Sequence, residues 1–336
     1  MELTHSGPIG TDIRVEEATQ VGQVRRHAQA LATQIGLDEH DAGRAALVAT
    51  ELATNVVKHG RGGWIHVQAV PDAQGGLGVE LCALDQGPGL DLAACLQDGY
   101  STGGTSGIGL GAVKRQSNLL ESWSDAKGAI VLARVLRQGV SDLAVGARRR
   151  SMDGGTFSGD GWSLRVGPGH MQVCLVDGLG HGPEAARVAD ATAQAFLATH
   201  ARDPSLVLTG LNAALGGTRG GAVAVACLDT ASGQLRYGGV GNIAGRLLTP
   251  AGSRGLASLP GIVGLQFRKA QTFDFPQAGS ALLVLHSDGL QGRWDLQQYP
   301  GLALRHPALI AAVLCRDFDR GRDDTTVVLL RLSEFT

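Results

Sequence analysis

The stretch MQVCLVDGLGHG, residues 171–182, decides how the second half of this chain folds. Its apolar run, 173–176, ends in a carboxylate, Asp177. Gly178, Gly180 and Gly182 follow, then Pro183 and an Ala-rich segment with helical spacing. A short buried strand that stops at an acid and a glycine turn puts that acid at the sheet edge, with bare backbone beside it. The pattern recurs at ALLVLHSDG, where Asp288 closes a strand. It is mirrored at DDTTVVLLRL, where Asp323 and Asp324 open one. In an antiparallel sheet the start of one strand lies beside the end of its neighbour. Three separate stretches thus deliver carboxylates to one edge, a donor set suited to hard divalent cations.

Working outward, FSGDGW adds Asp160 to the set. Short strands are predicted at about 162–167, 171–176, 221–228, 233–239, 243–248, 271–275, 280–287 and 325–332. Helices intervene at about 183–199, 204–215 and 305–317. This order argues for two packed antiparallel sheets with helices outside. Asp160 or Asp288 alone reads as a turn residue, because Asp-Gly is a common turn dipeptide. Four acids, each at a strand edge, do not read that way. Two divalent ions roughly 4 Å apart lower the pKa of a shared water and stabilise both attacking and leaving oxygens. The protein then supplies oxygen ligands and a backbone carbonyl, such as that of Gly178, and needs no cysteine or serine nucleophile. Adjacent strand residues face opposite ways, so only one of Asp323 and Asp324 points at the ions.

The whole chain sets the frame. Its 336 residues suggest about two domains at roughly 150 residues each. With 43% hydrophobic residues and only 4% aromatics, the cores are built from Leu, Val, Ile and Ala. A net charge of -2 argues against a protein held by nucleic acid or an anionic membrane. Five scattered cysteines read as reduced core residues rather than a disulfide or zinc framework. MELTHSGPIG has no leader pattern, and no apolar run approaches a membrane span. A soluble, cytoplasmic protein is expected. The run Arg148, Arg149, Arg150 reads as a solvated edge without function.

In the first half a strand is predicted at 12–16 and helices at 18–36 and 39–59, then strands WIHVQAV and GVELCALD. A polar, glycine-rich loop covers about 86–107. A helix near 108–118 and a hairpin over 119–136 complete it, with helices packed on one face of a sheet. On the second helix Glu51, Asn55 and His59 share one face by their four-residue spacing, beside a stripe of Leu47, Val48 and Leu52 taken as buried. Alone, those three polar residues read as a solvated face. LDQGPGL changes the balance: Asp85 stands at a strand end, where it can accept a hydrogen bond from an amino group such as that of adenine. Gly87 and Gly89 allow close approach. In GGTSGIGLGAVKR, Gly107, Gly109 and Gly111 open a helix whose free N–H groups suit phosphate.

Taken in order, these three pieces resemble the N, G1 and G2 boxes of the histidine-kinase-like ATPase fold, over roughly residues 10–137. GIGLGAVKR looks most like the RsbT switch kinases of the stressosome. The resemblance implies ATP with Mg²⁺ as cofactor, Asn55 holding the Mg²⁺, Asp85 on adenine and Glu51 as general base for a serine or threonine hydroxyl. It makes 97–107 the ATP lid. The ordered set SGD, VDGLGHG, SDG and DDTTV resembles the SpoIIE/RsbX branch of the metal-dependent (PPM) protein phosphatases, over about 145–334. It implies two Mn²⁺ or Mg²⁺ ions bridged by Asp177, with Asp160 on one and Asp288 with Asp323 on the other; Asp323 is favoured over Asp324. Two α/β domains follow: a histidine-kinase-like α/β sandwich at 1–137, a linker at 138–145, and a PPM α-β-β-α sandwich at 146–336. The expected function is bifunctional: phosphorylation and dephosphorylation of Ser/Thr in STAS-domain partners of stressosome or sigma-factor pathways. The alternative is an N-terminal half that binds ATP and sequesters a partner without transferring phosphate.

Overall fold

The computed structural model describes residues 2–90 and 109–336. The expected ATP lid at 97–107, with Gly107, lies outside the described residues. The chain divides into two compact units. The first is Gly10–Leu143 with Tyr299–Val313; the second is Met1–Ile9, Ala144–Gln298 and Leu314–Thr336.

Strand β1, Leu3–Ser6, belongs to the second unit and β2, Thr11–Val15, to the first. In the first unit helices α1, Ala18–Gln34, and α2, Glu39–His59, pack on a five-stranded sheet. That sheet has the order β2, β3 (Gly63–Pro71), β4 (Leu77–Asp85), β6 (Gly128–Val135), β5 (Leu119–Asp125). A short helix α3, Gly109–Gln116, lies against α2. Asp38 starts α2 by accepting the Asp41 N–H at 2.8 Å, which satisfies one of the helix's orphan donors. The buried face of α2 is Ala42, Ala45, Ala49, Ala53 with Val48, Leu52 and Val56. Small side chains at three- and four-residue spacing let the helix sit close on the sheet.

Leu47 departs from the expected stripe: it is 39% exposed, against 0% for Val48 and 1% for Leu52. Helical spacing gives the reason. Leu47 precedes Glu51 by one turn and so shares the open face, not the packed one.

The segment Tyr299–Val313 is fastened to this unit by buried charge. Arg134, with a side chain 1% exposed, donates to Glu80 at 2.8 Å and to Asp142 at 2.8 Å. Asp142 pairs with His306 at 3.0 Å, and Glu121 accepts the His306 N–H at 2.8 Å.

The second unit holds two sheets. One has six strands in the order β1, β8 (Asp160–Gly167), β9 (His170–Gly178), β10 (Gly221–Asp229), β11 (Leu235–Val240), β14 (Phe273–Phe275). The other has five, in the order β13 (Gly252–Leu256), β12 (Ala244–Thr249), β15 (Leu282–His286), β16 (Thr325–Arg331), β7 (Val145–Arg150). The sheets approach at β8 and β16, while α4, Pro183–Ala198, and α5, Pro204–Ala214, cover the six-stranded one. Helix α6, Pro307–Phe318, starts in the first unit and ends in the second. Among the described residues no helix is long and apolar enough to cross a membrane.

Three details differ from the sequence reading. The expected continuous division at 137 and 146 is broken twice, by β1 and by the Tyr299–Val313 excursion. Strand β8 has a free side beside β9, and β1 fills it in antiparallel register, Leu3 opposite Val166. The arginine run is the edge strand β7, and its side chains are used: Arg149 donates to the carbonyls of Gly7 and Ser158, and Arg150 pairs with Asp319 at 2.8 Å.

Candidate functional site

In the second unit the β8–β9 ladder sets Asp160 opposite Asp177. Asp177 is the penultimate residue of β9 and Gly178 its last; both pair with the start of β10. In the facing sheet β15 ends at His286, two residues before Asp288, and β16 begins at Thr325, one residue after the Asp323–Asp324 pair. After β9, Gly180 and Gly182 take φ of +85° and +77°, a left-handed region open to glycine, and turn the chain into α4 at Pro183.

The four acids act on one another. Asp160 is 1% exposed; burial raises its pKa well above the usual carboxylate range, and the Asp177 charge adds to this. Burial, then the charges of Asp288 and Asp323, push Asp177 up to about 7. Burial, then Asp323, raise Asp288. Among the described residues none of the four forms an ion pair with a lysine or arginine. Like charges held in a low-dielectric rim with no ion-paired lysine or arginine fit divalent cations, and every donor offered is an oxygen.

Asp323 and Asp324 divide their work. Asp323 is exposed. Asp324 is 4% exposed, and its two oxygens accept the Met152 N–H at 2.8 Å and the Gly159 N–H at 2.6 Å. Asp324 therefore fixes the chain on either side of 152–159, and Asp323 is the one left open.

Two residues escaped the sequence reading. The Ser287 hydroxyl donates to Asp160 Oδ2 at 2.6 Å, while its oxygen accepts the Thr326 N–H at 3.0 Å. Asn242 Nδ2 donates to Asp288 Oδ2 at 2.8 Å. Ser287 was visible only as the residue before an aspartate, and Asn242 only as a turn residue between glycine and isoleucine. Neither carries a signal without the fold.

Among the described residues, one group of three metal-capable side chains, Asp38, His40 and Asp41, has ligand atoms all within 4.8 Å of each other. They are already engaged: Asp38 caps α2 and Asp41 pairs with Arg44 at 2.8 Å. No three of the four acids of the second unit have ligand atoms that close together.

In the first unit Glu51 and Asn55 are half-buried on the open face of α2. Gly109 begins α3 directly above them: a Cβ there would lie 3.2 Å from Glu51 Oε2 and 3.7 Å from Asn55 Oδ1. Gly111 is buried inside α3. Asp85 closes β4, and its Oδ1 accepts the Gly87 N–H at 2.8 Å and the Ala129 N–H at 3.2 Å. Its Oδ2 makes no hydrogen bond among the described residues. A Cβ on Gly87 would meet the His59 carbonyl at 2.7 Å, and one on Gly89, at φ +98°, would meet Ser124 Oγ at 2.5 Å. Those glycines are required by close backbone packing around Asp85.

Residues 15–135 match the Histidine kinase-like ATPase domain family, and residues 167–333 match Stage II sporulation protein E (SpoIIE). The serine/threonine-protein kinase RsbT of Bacillus subtilis (strain 168) is 33% identical over 104 residues, 31% of this chain and 77% of RsbT. A solved structure of the bacterial stressosome, described as a modular system adapted to control secondary messenger signaling, is 26% identical with a TM-score of 0.51. It covers 55% of this chain and 97% of that one. RsbX in complex with magnesium is 20% identical with a TM-score of 0.49, over 55% of this chain and 92% of that one.

Proposed function

Because the chain belongs to the RsbT family over its N-terminal half and carries a SpoIIE-type protein serine/threonine phosphatase domain in its C-terminal half, we propose that it sets the phosphorylation state of a STAS-domain partner from both directions. The observation that carries the phosphatase half is the convergence of Asp160, Asp177, Asp288 and Asp323, where burial and then neighbouring carboxylate charges raise the pKa of the first three.

In this reading Asp177, the Gly178 carbonyl, Asp160, Asp288 and Asp323 would hold two divalent cations, Asp160 serving one and Asp288 with Asp323 the other. When bound, the cations would supply a water acidic enough to attack phosphorus near neutral pH as its bond to the serine oxygen breaks, and would offset the charge on the phosphoryl oxygens. The chain's own part is orientation. Ser287 keeps Asp160 in one rotamer, Asn242 does the same for Asp288, and Asp324 ties down the loop before β8.

In the first unit Asn55 would hold Mg²⁺ and Asp85 Oδ2 would take the adenine amino group, while Glu51 would accept the proton of the acceptor hydroxyl as it attacks the γ-phosphorus. The bond from γ-phosphorus to the bridging oxygen breaks and ADP leaves. The reading is supported by Glu51 and Asn55 sharing one face of α2 under Gly109, at the start of a helix whose N-terminus suits phosphate.

The test uses the full chain. Mn²⁺-dependent phosphate release from a phosphoserine STAS protein is expected, lost in Asp177→Asn and Asp288→Asn. Labelled ATP should transfer phosphate to the unphosphorylated partner. Retained hydrolysis in both asparagine variants overturns the phosphatase assignment. Nucleotide-dependent complex formation without label transfer assigns the first unit to sequestration instead.

A further inference from the structure

An open basic concavity of about 490 Å³ in the second unit is lined by Gln291, Gly292, Arg293, Arg320 and Arg322. The two loops that build it are the two that deliver metal-facing acids: Asp288 immediately precedes one, and Asp323 immediately follows the other. They are joined by backbone, with the Gln291 N–H on the Phe318 carbonyl at 2.9 Å and the Arg320 N–H on the Gly289 carbonyl at 2.9 Å. Each is also clamped from outside. Arg246 lies over the Trp294 ring at 4.3 Å and donates to the carbonyls of Trp294 and Gly292. Asp319 takes the Arg150 guanidinium at 2.8 Å and the Thr325 hydroxyl at 3.1 Å.

On this fixed frame Arg293, Arg320 and Arg322 are all exposed, and among the described residues none forms an ion pair. Arg149, Arg150, Arg165 and Arg246 of the same unit, by contrast, are held by neighbours. Three unpaired guanidiniums round one concavity form a local positive basin in a chain of net charge -2. Arg320 is near enough for its charge to act on the Asp288 carboxylate. The cavity is several times larger than one phosphate and open to solvent, dimensions that suit a stretch of polypeptide. Planar guanidiniums engage carboxylates two oxygens at a time.

We propose that this cavity docks an acidic segment flanking the phosphorylated residue of the protein substrate, so that Arg293, Arg320 and Arg322 select substrates without taking part in the chemistry. The proposal rests on the phosphatase reading of the neighbouring acids. It explains how a shallow metal rim distinguishes a protein substrate from a small phosphate ester: the ester reaches the metals but not the arginines. Binding through exposed arginines is screened by salt, so the preference should shrink as ionic strength rises.

The test measures binding by the full chain in Mn²⁺, with fluorescein-labelled peptides whose phosphoserine is replaced by its non-hydrolysable phosphonate. One peptide has glutamates on both sides of the phosphonate and one has lysines. The glutamate peptide is expected to bind at least about 10-fold more tightly, and Arg293→Ala/Arg320→Ala/Arg322→Ala should erase that preference at an unchanged melting temperature. The Arg293→Ala/Arg322→Ala variant, which keeps Arg320 beside Asp288, should weaken that preference and hydrolyse p-nitrophenyl phosphate at the wild-type rate. A wild-type protein indifferent to flanking charge overturns the proposal, as does a preference that survives the triple substitution. Equal loss of both peptides also overturns it, by assigning the arginines to the phosphonate group itself. A wild-type protein that fails to hydrolyse p-nitrophenyl phosphate counts against the phosphatase reading alone, because the peptide titration does not depend on turnover.

Discussion

Ser287 and Asp160 join the two sheets of the second unit through one hydrogen bond, 2.6 Å from Oγ to Oδ2. Asp160 opens β8 in one sheet, and Ser287 follows β15 in the other while accepting the Thr326 N–H of β16. The bond matters because Asp160 is 1% exposed and shares its surroundings with other acids. Removing the donor leaves a buried carboxylate less satisfied, at a cost of about 1–3 kcal/mol. Ser287→Ala should therefore lower the melting temperature of the metal-free protein and weaken Mn²⁺ binding by 10-fold or more. Calorimetric titration with Mn²⁺ reads the second effect. An unchanged affinity would show that Asp160 is held without Ser287.

The neighbouring acids Asp323 and Asp324 should separate activity from stability. Asp324 is buried on two backbone amides, and Asp323 faces outward. Asp324→Ala strands the Met152 and Gly159 N–H groups and should destabilise the second unit by about 2–4 kcal/mol. Asp323→Asn keeps the shape, removes one negative charge from the rim, and should abolish Mn²⁺-dependent hydrolysis while leaving the melting temperature unchanged or slightly raised. Urea unfolding and phosphate release, measured on both variants, check the division. The reverse pattern would exchange their roles.

The N-terminal strand carries a pH dependence of its own. His5 lies in β1, 7% exposed, with its ring 5.2 Å from that of Trp162 and its Nε2 buried without a partner. Burial pulls its pKa down from 6.5 to about 4. The unfolded chain thus binds a proton that the folded one refuses between those values. The stabilisation is complete above about pH 6.5 and is lost as pH falls towards 4, by up to about 3 kcal/mol. His5→Leu removes the titration. The difference in unfolding free energy between the two proteins should change by that amount between pH 7 and pH 4 and be flat above pH 7. A constant difference across the range would show that His5 is solvated in the folded state.

The strand ends and the helix face that carry the candidate acids were legible because both signals are local. Asp177, Asp288 and Asp323 each sit where an apolar run meets a turn, and Glu51 and Asn55 lie four residues apart. What escaped depends on long-range pairing. Nothing in LTHS indicates that β1 completes a sheet whose next strand begins at Asp160. The three arginines of β7 look solvated until Gly7, Ser158 and Asp319 are brought to them. Ser287 and Asn242 gain meaning only from the acids they hold. Leu47 was misread through hydropathy although its spacing from Glu51 already placed it on the open face.

Gly109 gives a test of the first unit in which stability and activity should move in opposite directions. It opens α3, where alanine is the better helix former by about 0.5–1 kcal/mol. Yet an alanine Cβ would stand 3.2 Å from Glu51 Oε2 and 3.7 Å from Asn55 Oδ1, close enough to displace the carboxylate. Gly109→Ala should therefore keep or raise the melting temperature while weakening ATP binding and phosphate transfer. Glu51→Gln should behave differently, binding ATP near the wild-type affinity and losing transfer by about 100-fold or more, as removal of a general base does. Fluorescent-nucleotide titration and labelled transfer to the partner, run on both variants, separate a crowded site from a missing base. Full transfer by Glu51→Gln would take the base role from Glu51 and leave it as a neighbour of Gly109 alone.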